Sequence, residues 1–323
     1  MKKRIIILGT VVLLVVLAWS GGWFFLAGLV RQNIEAQALA DGVQTPRVTC
    51  GSLRVSGFPF RFDVDCSDAT ILSGDIEAKV PGIRASIMVY RPTHFLASAK
   101  GPATVTDAFT GMRNEIAWSG LEASLRVWNW RIERLSIVGH DLVWSDTLVG
   151  NSVIAQATQL EAHLLDVPEQ HDATRHVATL AGYMSTKALA YPGLTLADTN
   201  ADVELELSGL PDDVRAWDNP QLPVVWQQAG GQLKIVSIRG SDGASTLNAE
   251  GTVGLDASGY VDGTVAITST GVAERIGPLL EEPVRTLVLG NPAADGSYQN
   301  QLSFKAGALF SGLIPIAQIA PLF

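Results

Sequence analysis

From Ile5 to Val30 the chain runs 26 residues without a charge, nearly all of them Ile, Val, Leu, Ala, Gly, Phe or Trp. A helix needs about 20 apolar residues to cross a hydrocarbon core. A lone spanning segment must be a helix, because every backbone N–H and C=O has to be satisfied without water. Lys2, Lys3 and Arg4 precede the segment, whereas Arg31 on its far side is offset by Glu35. The excess of cations before the segment places the N-terminus in the cytoplasm and everything after Arg31 outside. The rival reading is a cleaved secretory signal with Ala18-Trp19-Ser20 as the cut site, but the apolar run continues through Trp23, Phe24, Phe25, Leu26 and Leu29, past a normal signal core. Either reading exports the rest of the chain.

Export changes what the other residues mean. Setting aside the three leading cations leaves 20 Lys plus Arg against 32 Asp plus Glu. Such an acidic surface repels phosphates, so nucleic acid is not an expected partner. It also disfavours electrostatic docking on anionic headgroups. The two cysteines, Cys50 and Cys66, fall in a compartment that permits disulfides.

From Thr45 to Gly271 the dominant pattern has period two, the mark of strands with one face buried. Val203, Leu205 and Leu207 alternate with Glu204 and Glu206; Ile83, Ala85, Ile87 and Val89 alternate with Arg84, Ser86, Met88 and Tyr90. Leu121, Ala123, Leu125 and Val127 continue the theme until the phase slips at Trp128, Trp130 and Ile132, as a bulge or a change of strand produces. Turn signals recur at Ser73-Gly74-Asp75, Pro81-Gly82, Lys100-Gly101-Pro102, Ser119-Gly120, Gly139-His140-Asp141, Pro192-Gly193, Ser241-Asp242-Gly243, Ser258-Gly259 and Asp262-Gly263. The fold class expected is mainly β: a large antiparallel, curved sheet or a two-layer β domain with a few short helices, behind one N-terminal transmembrane helix. Short helices are expected at Pro211 to Trp217 and at Val272 to Leu289, the latter split by Pro278 and Pro283. Residues 1–4 read as a cytoplasmic start, 5–30 as the anchor, 31–44 as a membrane-proximal helix or linker, and 45–323 as one periplasmic β-rich domain.

Gly57-Phe58-Pro59 reads as a turn centred near Phe58, which sets Cys50 directly opposite Cys66, within disulfide reach. That register puts Leu53 and Val55 on the face opposite Phe60, Phe62 and Val64, so either a bulge intervenes or both faces are covered. A redox or metal role fails on spacing, since C-x-x-C is absent. The histidines, His94, His140, His163, His171 and His176, form no compact ligand motif; His171 and His176 flank Asp172 in a polar loop, where a loose metal site is weighed against ordinary surface histidines. G-x-S-x-G, S-x-x-K and a Gly-rich phosphate loop are all missing, and the adjacent pairs Asp212-Asp213 and Glu281-Glu282 point apart as solvated charge. Neither enzymatic activity nor a cofactor is expected. Trp118, Trp128, Trp130 and Trp144 form the densest aromatic group. They read as core packing of a large sheet or as an apolar lining for a lipid-like ligand.

Three segments carry a resemblance to a family of proteobacterial envelope proteins, the domain of unknown function 2125 family. They are Cys50-Gly51-Ser52-Leu53-Arg54-Val55-Ser56-Gly57-Phe58-Pro59-Phe60-Arg61-Phe62 followed by Cys66; Trp226 to Gly231 with Gly251 to Asp256, Gly259 and Gly263; and Gly312-Leu313-Ile314-Pro315 to Ala320-Pro321-Leu322. By architecture alone the chain also resembles AsmA-type envelope lipid-transfer proteins, which implies one N-terminal anchor and a β-groove for acyl chains. Neither resemblance carries catalytic residues. Two roles are therefore expected: an inner-membrane protein whose sheet binds or passes lipid or another amphiphile, or a scaffold that binds an envelope protein through a sheet edge or face.

Overall fold

A computed structural model of the chain describes residues 2–43, 45–243, 245–273 and 284–323. The fold is mainly β, and every ladder described is antiparallel. Helix α1 runs unbroken over Lys2–Gln37, long and apolar enough to cross a membrane. The residues gather into two compact units, Met1–Ala123 with Trp144–Ser152 and Ser124–Val143 with Val153–Phe323.

The first unit holds α1 and strands β1 (Arg47–Ser56), β2 (Arg61–Ser73), β3 (Ile76–Met88), β4 (Arg91–Lys100), β5 (Ala103–Asp107) and β6 (Arg113–Ala117). β1 to β4 pair in sequence, β5 takes over the free half of β3, and β6 pairs with β5. β1, β2 and β3 are interrupted at one level: the registers omit Gly51 with Asp68 (φ +49°) and Asp68 with Pro81, and β4 gives way to β5 at Gly101-Pro102. Apolar residues change parity there, from Val48 and Cys50 to Leu53 and Val55, and from Val64 and Cys66 to Ala69 and Ile71. A local break that shifts the phase by one keeps the same face apolar on both sides.

The cysteine pair is bridged, but not in the register expected. Leu53 lies opposite Cys66 and Cys50 opposite Ala69, so the hairpin is centred between Pro59 and Phe60 rather than on Phe58. The register shift of three, an odd number, resolves the conflict of faces, because Leu53 and Val55 now share a side with Cys66 and Val64. The bridge crosses the kink at Gly51 and Asp68 with a Cα separation of 5.3 Å. Closing a loop of about 15 residues stabilises a fold by about 3 kcal/mol in the loop-entropy account. Cys50→Ser in detergent-solubilised protein should therefore lower the urea midpoint, and reduction of the wild type should reproduce the shift.

Strands β7 (Gly120–Trp128) and β8 (Arg131–Asp146) each contribute to both units. The phase slip is a change of strand, with Asn129 and Trp130 at φ +48° and +62° making the turn between them. The rest of the second unit is a meander: β9 (Ser152–Asp166), β10 (Val177–Tyr191), β11 (Leu196–Pro211), helix α2 (Leu222–Gln228), β12 (Gln232–Ser241), β13 (Thr246–Leu255), β14 (Val261–Thr270), helix α3 (Val284–Leu289), β15 (Asn291–Pro292), β16 (Tyr298–Lys305), β17 (Ala308–Ser311) and β18 (Ile314–Gln318). Three turn signals fall inside strands instead: Pro81-Gly82 in β3, Gly139-His140-Asp141 in β8 and Asp262-Gly263 in β14. Gly and Pro within a strand mark bends as well as ends, and composition does not separate the two. Pro211 ends β11 rather than opening a helix; Asp213 caps a single 3-10 turn, Val214–Ala216, by accepting from Arg215 N. Helix is described at Val272 and Ala273 and again in α3, while Pro278, Pro283, Glu281 and Glu282 lie outside the described residues.

Candidate functional site

Strands β10 to β14 and β16 alternate, and pairing turns the alternation into rows, since residues directly opposite across a ladder project from the same face. One row runs Leu180, Leu207, Leu233, Val253, Gly263, Phe304 from β10 to β16. The next runs Leu164, Gly182, Leu205, Ile235, Gly251, Val265, Leu302, and a third Ala162, Met184, Val203, Ile238, Ala249, Ile267, Asn300. The opposite face carries Glu204, Glu206, Lys234, Arg239, Asn248, Glu250 and Thr268. The sheet therefore has one apolar strip, seven strands wide, backed by a charged surface. Ile235 and Ile238 reach the same side because Val236 is a bulge: the register shifts between them against both neighbours.

In a closed core such side chains are fully enclosed. Here they are half-buried: of the strip's large apolar side chains, only Leu180 at 3% counts as buried, and Met184 is 47% exposed. Helix α3 meets the strip at its β16 margin, where Asn300 Nδ2 donates to the carbonyls of Leu287 (2.8 Å) and Val288 (2.9 Å). Glycines let the backbones approach: a Cβ on Gly251 would lie 2.2 Å from Thr264 O, and one on Gly263 2.2 Å from Thr252 O. Glycines in strand interiors are a recognised means of bending a sheet.

The four tryptophans do not supply this strip. Trp118 and Trp144 belong to the first unit, Trp128 and Trp130 to the second. Trp118 is half-buried, its Nε1 donating to Ala99 O (2.8 Å) and its ring beside Gly101. Trp128 and Trp130 are 64% and 53% exposed at the β7–β8 turn, where the Arg215 guanidinium stands 4.5 Å from the centre of the Trp130 ring. The strip is mostly aliphatic, and its signal in the sequence is the alternation rather than the aromatic density.

His171 and His176 do meet an aspartate, but it is Asp212. His171 Nε2 lies 3.1 Å and His176 Nδ1 3.8 Å from Asp212 Oδ2. Asp172 instead closes its own turn, accepting from Thr174 Oγ1 (2.6 Å) and from the backbone N–H groups of Thr174 and Arg175. Those donors, the Thr174 hydroxyl first, hold its carboxyl below the usual range. Asp212 is thus not the solvated charge its sequence position suggested; its side chain is 18% exposed. Beside it, Arg131 Nη2 donates to Asp166 and Nη1 to His171 Nδ1 (3.0 Å). Because arginine has no acceptor, this contact puts the His171 proton on Nε2, toward Asp212. Among the described residues no group of three or more His, Cys, Asp or Glu is placed to hold a metal ion.

The model of a family described as an uncharacterized protein conserved in bacteria (DUF2125) aligns with residues 23–320. Neither a curated protein nor a solved structure matches the chain.

Proposed function

The chain belongs to DUF2125, a family of uncharacterized bacterial proteins, and from that footing we propose that it is a non-catalytic, inner-membrane-anchored envelope protein whose apolar strip holds or passes the acyl chain of a lipid or another amphiphile. The observation that carries this reading is the half-exposed condition of the strip. Three cross-strand rows of mostly apolar side chains, spaced by glycines, stay largely in partial contact with solvent instead of being enclosed. Contiguous apolar surface of that extent is costly in water and marks a binding surface. An acyl chain satisfies it without hydrogen bonds, while the polar reverse face remains solvated. Helix α1 supports an origin for the ligand in the bilayer, and Lys2, Lys3 and Arg4 favour a cytoplasmic N-terminus with both units in the periplasm.

The test is mass spectrometry of lipids that co-purify with the detergent-extracted full chain, against Met184→Lys. Met184 lies on the strip yet is open, so a lysine there leaves the fold intact while placing a charge where the chain would lie. Wild-type protein should retain lipid, and the variant about tenfold less or lower still. Equal lipid on both proteins, or no more on wild type than on a peptide spanning α1 alone, would sink the proposal.

A further inference from the structure

The turn between β1 and β2 sits against α1, and the height of that contact has a consequence. Trp23 is 6% exposed; its ring stacks on Phe62 (centroids 5.2 Å apart) and meets Phe58 edge-on (5.5 Å), while Phe24 stacks on Phe58 at 5.7 Å. Indole N–H groups fix the turn from both sides of a helical step: Trp19 Nε1 donates to Pro59 O and Trp23 Nε1 to Arg61 O, each at 3.1 Å. At 1.5 Å per residue, Trp23 stands about 27 Å along the helix from Ile5, and Trp19 about 21 Å. A hydrocarbon core is about 30 Å thick. The turn is therefore fastened to α1 at the level where the helix leaves the bilayer, not above it.

The same end of the sheet carries exposed aromatics. Phe58 is 47%, Phe60 63% and Tyr90 67% exposed. Tyr90 belongs to the β3–β4 turn, which Val89 N ties to Phe60 O (2.9 Å). Arg61, whose Nε pairs with Asp63 Oδ2 at 2.7 Å, and Arg91 begin the strands just behind and are exposed. Aromatic side chains at the tip with cations one step back match the chemistry of the headgroup and acyl boundary, where aromatic rings partition and cations face phosphates.

Resting on the reading of α1 as a membrane span, we infer that the two turns Gly57–Arg61 and Val89–Arg91 are a membrane-interface surface, with Phe58, Phe60 and Tyr90 seated in the headgroup–acyl zone of the bilayer that α1 crosses. The first unit is thereby held against the lipid surface by its sheet end as well as by its tether. The occupant is the lipid interface itself and not a second protein.

The experiment uses the full chain in nanodiscs, with a bimane fluorophore on Phe60→Cys, Asp75→Cys or Leu13→Cys; the native cysteines are bridged and do not compete for the label. Phe60 and Asp75 are both exposed and lie at opposite ends of β2, so neither substitution disturbs a packed contact of its own side chain. With brominated phosphatidylcholine in place of the ordinary lipid, the probe at 60 should lose more than half its emission, that at 13 likewise, and that at 75 almost none. A quenched probe at 13 with probes at 60 and 75 equally unquenched overturns this inference alone. An unquenched probe at 13 overturns the span and the inference together.

Discussion

Arg131→Ala is expected to remove about 4 kcal/mol from the stability of the second unit, because breaking a buried ion pair strands the surviving charge. Arg131 and Asp166 are 21% and 11% exposed at their side chains. Asp166 Oδ1 is buried and has no protein partner, so Arg131 is the carboxylate's principal counter-charge. Loss of the guanidinium also leaves His171 Nδ1 without its donor and loosens the link to Asp212. A domain is typically stable by about 5–15 kcal/mol, so the variant should unfold at a visibly lower urea concentration. The paired replacement Arg131→Met with Asp166→Leu removes both charges and should recover stability to within about 1 kcal/mol of wild type. If the double variant is no more stable than Arg131→Ala, the cost lies in lost packing and the electrostatic account is wrong.

Gly263→Val should cost about as much, roughly 4 kcal/mol, at the upper end of single-substitution effects. Gly263 has φ +146°, a conformation L side chains rarely adopt, and its Cβ would lie 2.2 Å from Thr252 O and 2.7 Å from Val253 Cα. Both atoms are backbone of β13, so relief requires the strands to part and their ladder to weaken. The same close approach recurs two pairs along, where a Cβ on Gly251 would meet Thr264 O and Val265 Cα. Equilibrium unfolding of the variant is the measurement. A change under about 1 kcal/mol would show that β13 and β14 can separate there without penalty.

The two variants probe different levels of the fold, and they differ in how visible they were beforehand. Gly263 stood out in the sequence, but as a turn; its partner Val253 and its position inside β14 depend on pairing. Arg131 carried no signal at all. Asp166 and His171 are adjacent to it only because β8, the end of β9 and the turn after it converge, and no spacing rule links those positions. Likewise Asp212 looked like one half of a solvated acidic pair until the fold turned it toward two histidines.

The apolar strip was half legible. Alternation at Val203, Leu205 and Leu207 announces a two-faced strand, whereas rows that cross seven strands exist only once the strands are paired, and the tryptophans, legible as core packing or as lining, lie outside those rows. The hairpin shows how fine the dividing line is. Gly57-Phe58-Pro59 lies in the turn and Cys50 and Cys66 are bridged, but a centre one and a half residues beyond Phe58 reverses the side of Leu53 and Val55.

Local properties came from the amino-acid order alone. Helix α1 follows from a run of apolar residues with no ions, and strand periodicity from side chains that alternate every second position, since both depend only on neighbours along the chain. Register, the convergence of Arg131 with Asp166, and the seating of the Phe58 turn against Trp19 and Trp23 were decided by tertiary structure. Each requires segments tens of residues apart to close on one another, and the energy that selects among closures is summed over whole faces rather than written in any one segment.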